Sequence, residues 1–215
     1  PSLGDFEYAS DAVGNRTAMT ETLAGYSDVV DYEYDPLNRL TKESRPSGSV
    51  NEFAYDAVGN RTKATGQPDR AYNEVDEVIG WDYDENGNLL ADDEATYSFD
   101  ELDRLASASR PGSDSSFTWD PEGNLLDQTQ NGVTRSLVVD SRSGLARVLQ
   151  ERDPADNGVT ASYSYCSATC IKLMSVENSD GHRWTYSDAL GSIRALGDDT
   201  GNVTDVRTRT TLEKI

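Results

Sequence analysis

His182 is the single histidine of the chain and stands in Ser179-Asp-Gly-His-Arg-Trp184. With a serine and an aspartate folded onto it, such a ring is the general base of a nucleophilic triad. No spacing in the sequence marks those partners, and Ser-Asp-Gly-His between strands reads first as a turn, so no catalytic residue is assigned. Paired carboxylates of the glycosidase kind are the next candidate, yet most Asp residues occupy the repeated turns described below. Asp82-x-Asp84-x-Asn86-Gly87 followed by Asp93 has the ligand positions of a calcium loop, with Asp where the closing Glu is usual. Its flanks, Glu77 to Trp81 and Tyr83, alternate as a strand does, so neither a metal nor another cofactor is expected.

Two cysteines lie in Tyr165-Cys166-Ser-Ala-Thr-Cys170. Four residues of extended strand separate them by about 13 Å, beyond the roughly 5.5 Å Cα spacing of a disulfide. A Cys166–Cys170 bond therefore needs a tight loop, which Ser-Ala-Thr can form. A bond between subunits and a pair of reduced buried thiols are the alternatives. Sequons at Asn15-Arg-Thr17, Asn60-Arg-Thr62 and Asn202-Val-Thr204 offer N-glycosylation sites on Asn15, Asn60 and Asn202, although turn chemistry alone accounts for Gly-Asn-Arg-Thr.

The elements that carry these residues are set by an internal repeat. Aromatic-Asp units recur as Tyr34-Asp35-Pro-Leu-Asn-Arg, Tyr55-Asp56-Ala-Val-Gly-Asn, Tyr83-Asp84-Glu-Asn-Gly-Asn, Phe99-Asp100-Glu-Leu-Asp-Arg and Trp119-Asp120-Pro-Glu-Gly-Asn. Weaker copies start at Asp11, Tyr72, Val139 and Ser187. Two flavours largely alternate, one ending Gly-Asn and one ending Asn-Arg or Asp-Arg. In each unit the aromatic ends a strand and the Asp accepts backbone N–H groups two residues on. The fourth residue after the aromatic tolerates the positive φ of a tight reversal. Asp35, Asp56, Gly59, Asp84, Gly87, Asp100, Asp120, Gly123, Asp188 and Gly191 are assigned this turn-forming role.

Between turns, aromatics stand two apart, as in Tyr32/Tyr34, Phe53/Tyr55, Trp81/Tyr83, Tyr97/Phe99 and Phe117/Trp119. Residues i and i+2 share one face of a strand, so the rings form a one-sided row, and no helical period emerges. The fold class that follows is all-β: an elongated strip of repeated antiparallel hairpins, read as a single domain over residues 1–215.

Charge narrows the partners. With 39 acidic and 19 basic side chains the net charge is −20, and no basic stripe offsets it, so a phosphate backbone is repelled and nucleic acid is not an expected partner. Of the acids, 25 are Asp, while Lys occurs only at Lys42, Lys63, Lys172 and Lys214. Turns do not explain the scarcity of Lys, which fits a saline or extracellular setting where net charge maintains solubility. No apolar run nears the roughly 20 residues of a membrane helix. The chain opens at Pro1 with no basic-then-apolar leader, as a processed product or a piece of a longer protein does.

The Tyr-Asp-x-x-Gly-Asn units resemble the YD repeats of Rhs proteins, the group that includes bacterial toxin cocoons and animal teneurins. Trp184 to Val203 resembles the opening of the Rhs-associated core motif, and the similarity covers roughly residues 5 to 204. The resemblance implies a β-hairpin strip that, in long relatives, spirals into a hollow shell. The later Pro- and Asp-rich part of the core is missing after Val203, so 184–203 is a partial core-like segment and 204–215 a tail. A strip this short leaves two open edge strands. The expected role is therefore a non-enzymatic, extracellular or cell-surface structural protein that self-associates through its edges, end to end, into a filament. A carbohydrate-binding or adhesive module, with polysaccharide as partner, and a segment of a toxin-encapsulating shell are the alternatives.

Overall fold

The computed structural model describes residues 4–206 except 24–25, 143–145, 168–169 and 189–190. Most of the 204–215 tail and two positions of the core-like segment lie outside the described residues, as does the side chain of Cys170. The strands are β1 Gly4–Ser10, β2 Arg16–Leu23, β3 Tyr26–Tyr34, β4 Leu40–Ser44, β5 Val50–Tyr55, β6 Arg61–Ala64, β7 Asp82–Tyr83, β8 Leu89–Ala91, β9 Thr96–Phe99 and β10 Leu105–Arg110. They continue as β11 Ser113–Trp119, β12 Leu125–Gln130, β13 Val133–Asp140, β14 Arg147–Arg152, β15 Val159–Ser167, β16 Cys170–Asn178, β17 Gly181–Ser187, β18 Ile193–Gly197 and β19 Val203–Val206. There is no helix among the described residues, and so none long and apolar enough to cross a membrane.

One sheet runs β1 to β6 in chain order and a second runs β7 to β19 in chain order, with antiparallel pairing between neighbours. This order is what a run of hairpins yields when each strand has only its sequence neighbour to pair with. The ladder slips by one residue beside the turns, at Glu33/Tyr34, Ala54/Tyr55 and Thr118/Trp119. Such a bulge increases the local twist and re-aims the aromatic.

Two compact units are delineated: Pro1–Ile79 with Ser187–Ala195 and Asp205–Ile215, and Gly80–Tyr186 with Leu196–Thr204. In the first, one face of the sheet is buried. Tyr8 pairs with Met19, Met19 with Val30, and Phe6 with Glu21 across β1–β3, and Met19 and Val30 are the largest fully buried side chains. On β5 the burial alternates, with Asn51 and Phe53 inside and Val50 and Glu52 exposed. In the second unit β11 alternates the same way, Phe117 and Trp119 being half-buried and Thr118 exposed. The rings therefore share a face as the period-2 spacing requires, but most are half-buried.

Candidate functional site

The repeated turns are the most elaborately built feature of the chain. In the turn at Asp35 the Oδ1 atom accepts the N–H of Leu37 and of Arg39, each at 2.9 Å, while Asn38 N donates to Asp35 O. Asp56 Oδ1 accepts from Val58, Gly59 and Asn60 at 2.8–3.1 Å. Asp84, Asp100, Asp120 and Asp188 likewise accept the N–H four residues on. The fourth residue after the aromatic is left-handed in the five aromatic-Asp units. Gly59 has φ +112° with open space around it, so a side chain there would be strained by backbone alone. Asn38 and Asp103 take the same position at φ 60° and 58°, which short polar residues tolerate. Gly87, Gly123 and Gly191 take it at φ 85–87°.

Successive turns are bonded to one another, and the two flavours are the two halves of that bond. Asn15 Nδ2 donates to Asn38 Oδ1 (2.8 Å), Asn60 to Asp76 (2.7 Å), and Asn88 to Asp103 (2.8 Å). These three Gly-Asn turns thus donate to the left-handed Asn or Asp of the next turn. In return, Arg39 Nη1 donates to the Asp56 carbonyl (2.9 Å) and Arg104 Nη1 to that of Asp120 (2.6 Å). The aromatic adds a third link, reaching back to a carbonyl just after the preceding turn: Tyr34 to Arg16, Tyr55 to Leu40, Tyr72 to Arg61 and Trp119 to Leu105, at 2.8–2.9 Å. Arg104 also pairs with Asp100 at 2.7 Å and lies over the Trp119 ring. Replacing Arg104 with Gln removes the planar fork that makes these contacts. The expected loss is about 1–2 kcal/mol in urea unfolding, with Arg104→Lys intermediate.

Hydrogen-bond donors hold the carboxylates of Asp35, Asp56, Asp84, Asp100 and Asp120 below the ordinary aspartate value of 3.8. For Asp35 the first cause is the Arg39 N–H, for Asp84 the Asn88 amide, and for Asp120 the Asn124 amide. At Asp56 and Asp100 desolvation is the largest single influence and pushes upward, but the summed donors outweigh it. A depressed folded value means that the unfolded chain binds protons first as pH falls. The stabilisation is present above the unfolded value and is lost as pH drops through the folded one. Denaturation midpoints are therefore expected to be flat from neutrality to about pH 5 and to fall below about pH 4. A fall that begins near pH 6 would contradict this.

The other sequence candidates are dispersed. His182 Nδ1 lies 2.6 Å from Asp199 Oδ1, which also accepts Trp184 Nε1 at 3.0 Å, and the two rings meet edge to face. That arrangement orients the imidazole but brings no nucleophile to it among the described residues. The members of the calcium-like pattern face different partners: Asp84 holds the Asn86 and Asn88 amides, Asn86 donates to Asp103, and Asp93 accepts from Trp81. No group of three or more metal-ligating side chains occurs among the described residues. Cys166 is disulfide-bonded, and β15 and β16 meet at Ser167↔Cys170. The sequon amides of Asn15, Asn60 and Asn202 all act as donors within the turn system, so a glycan would displace those bonds.

Two features escaped the sequence. Asp198 to Asn202 forms a further turn of the same kind, with Gly201 at φ +86°, and its Gly-Asn ending was the available signal. A buried ion pair joins Arg194 Nη2 to Glu21 Oε2 within the first unit, with both side chains under 5% exposed. No local pattern announces a pair 173 residues apart.

Comparison with known proteins places these observations. The family model described as Teneurin YD-shell matches residues 5–212. The chain is 36% identical over 198 residues to the tRNA nuclease WapA of Bacillus subtilis strain 168, and 35% identical over 198 residues to the tRNA3(Ser)-specific nuclease WapA of Bacillus spizizenii. Each match covers 91% of this chain and 7% of the relative. Among solved structures, the Photorhabdus luminescens Tc holotoxin pore is similar at 14% identity and TM-score 0.39, over 89% of this chain and 12% of that one. The nuclease relatives overturn two expectations. A protein that is not an enzyme, and a self-standing structural filament subunit or carbohydrate module, do not agree with relatives named as tRNA nucleases. Turn chemistry and strand period report on a β-strip alone, and the strip corresponds to a small fraction of those enzymes.

Proposed function

Because the chain belongs to the teneurin YD-shell family, we propose that it is the β-strip portion of a larger nuclease that acts on tRNA. The observation that carries this reading is the identity to tRNA nucleases along nine-tenths of the chain. The strip's part is mechanical: turns bonded to one another in series form a stiff wall, and the cutting of RNA belongs to the protein as a whole. The charge of −20 supports that division of labour, since a surface of this sign repels a phosphate backbone. An extracellular or cell-surface location is part of the same reading. It is supported by the disulfide at Cys166, a bond favoured in oxidising compartments, and by the scarcity of Lys.

The test uses the full-length protein that contains this sequence and, separately, residues 1–215, each incubated with total tRNA and resolved on a denaturing gel. Cleavage by the full-length protein but not by the 215-residue chain is expected. An intact tRNA pool after incubation with the full-length protein would overturn the nuclease reading. Cleavage by the short chain would overturn the assignment of the strip to the wall.

A further inference from the structure

One unit of the repeat carries a cysteine where the others carry the turn carboxylate. Tyr165 is its aromatic, marked by the same two contacts as Tyr55. The Tyr165 hydroxyl donates to the Val148 carbonyl at 2.9 Å, as Tyr55 donates to that of Leu40 at 2.8 Å. Arg147, the residue before Val148, lies over the Tyr165 ring at 5.5 Å, just as Arg39, the residue before Leu40, lies over Tyr55 at 4.8 Å. Cys166 therefore holds the position of the turn Asp, and Cys170 that of the residue four further on.

Those are the two positions whose side chains staple the other turns. Asp35 is bonded to Arg39 at 2.7 Å, Asp84 to Asn88 at 3.0 Å and Asp120 to Asn124 at 2.7 Å. A thiol is a weak hydrogen-bond acceptor, so a reduced cysteine at 166 does not gather amides as Asp does. Thr169 stands in the sequence where the five aromatic-Asp units have Gly, Asn or Asp, and a β-branched side chain disfavours left-handed backbone. The sequence thus offers this turn neither of the devices that close the others. What it offers instead is a covalent bond. Cys166 is disulfide-bonded, Cys170 is the other cysteine of the chain, and β15 meets β16 at Ser167↔Cys170.

We propose that a Cys166–Cys170 disulfide replaces the side-chain staple of this turn, and that it is a redox site whose reduction by a dithiol opens the tip of the β15–β16 hairpin. Cys166 is exposed, so a thiolate reaches its sulfur. The attacking thiolate forms a mixed disulfide with Cys166 and expels the Cys170 thiolate. The second sulfur of the dithiol then displaces Cys166, the reagent leaves as a cyclic disulfide, and the protons of its two thiols end on the two cysteines. A carboxylate staple does not respond to thiols, so of the turns built on this repeat this one is released in a reducing medium while the others hold. A loop this short restricts the unfolded chain less than a long one, so reduction acts on the hairpin rather than on the whole fold.

The experiment treats the full chain with dithiothreitol at neutral pH and follows amide exchange by mass spectrometry, with the cysteine linkage read from a non-reduced peptide map before and after. Exchange over residues 163–167 and 173–176 is expected to rise about tenfold on reduction, with β11 and β12 unchanged as the control for folding. Two double variants separate the staple from cysteine chemistry. Cys166→Asp with Cys170→Asn restores the staple of the other turns and should exchange as slowly as the oxidised chain, with or without dithiothreitol. Cys166→Ser with Cys170→Ser should exchange about tenfold faster in both conditions. A map that links the cysteines between chains, or finds them as thiols in the untreated chain, overturns the proposal. So does unchanged exchange once the bond is cut, and so does a Cys166→Asp/Cys170→Asn variant that exchanges as fast as the Cys166→Ser/Cys170→Ser one. These outcomes are independent of whether the full-length protein cuts tRNA.

Discussion

Replacing Arg194 with Met is expected to lower the stability of the first unit by about 3–5 kcal/mol at neutral pH, the usual cost of stranding one member of a buried ion pair. Arg194 and Glu21 are 2–3% exposed. The guanidinium meets Glu21 through Nη2 and through Nε at 3.4 Å, and lies over the Phe6 ring. Directly across the sheet from Glu21 is Asp28, held by Arg45 at 3.1 Å, which also binds Glu43. Loss of Arg194 therefore leaves a carboxylate buried and facing a second one.

A second substitution distinguishes this from a packing defect. Glu21→Met added to Arg194→Met should restore most of the loss at about pH 7, because it removes the stranded charge. Urea unfolding of the single and double variants reads this directly. A double variant no better than the single would show that the pair is not what holds Arg194 in the first unit.

Met19→Ala is the second large effect, at about 2–5 kcal/mol. Met19 is 2% exposed and sits between Tyr8 and Val30 on the buried face of β1–β3, so truncation leaves a cavity that three paired strands cannot close. Val13→Ala is the contrast. That valine is 72% exposed at the tip of the Asp11 turn, and its truncation should fall within about 0.5 kcal/mol. If the two changes shift the urea midpoint equally, the one-sided burial of the first sheet is wrong.

The contrast also shows what local sequence conveys. The Asp-x-Val-Gly pattern around Val13 marks a turn regardless of what surrounds it, because the Asp carboxylate bonds amides two to four residues away and the glycine's φ is a property of one residue. Nothing local distinguishes Met19 from any other apolar residue on an alternating strand. The aromatic positions fall between these cases. Their shared face follows from the period of two, whereas the half-burial of Phe117 and Trp119 depends on what covers that face. Cys166 shows the same divide, since its spacing to Cys170 demanded a tight loop but left three redox outcomes open.

The alternation of Gly-Asn with Asn-Arg or Asp-Arg was visible as a regularity without a cause. Its cause is the pairing of Asn15 with Asn38 and of Arg39 with the Asp56 carbonyl, contacts between turns some twenty residues apart that only the sheet brings together. By itself, then, the sequence determined the hairpin succession, the turn positions and the face on which the rings lie, because each depends on hydrogen bonds and backbone angles spanning four or five residues. The tertiary structure alone decided which turns bond to which, and that Glu21 is neutralised by Arg194. Those outcomes depend on distances between residues far apart in the chain, which no local pattern encodes.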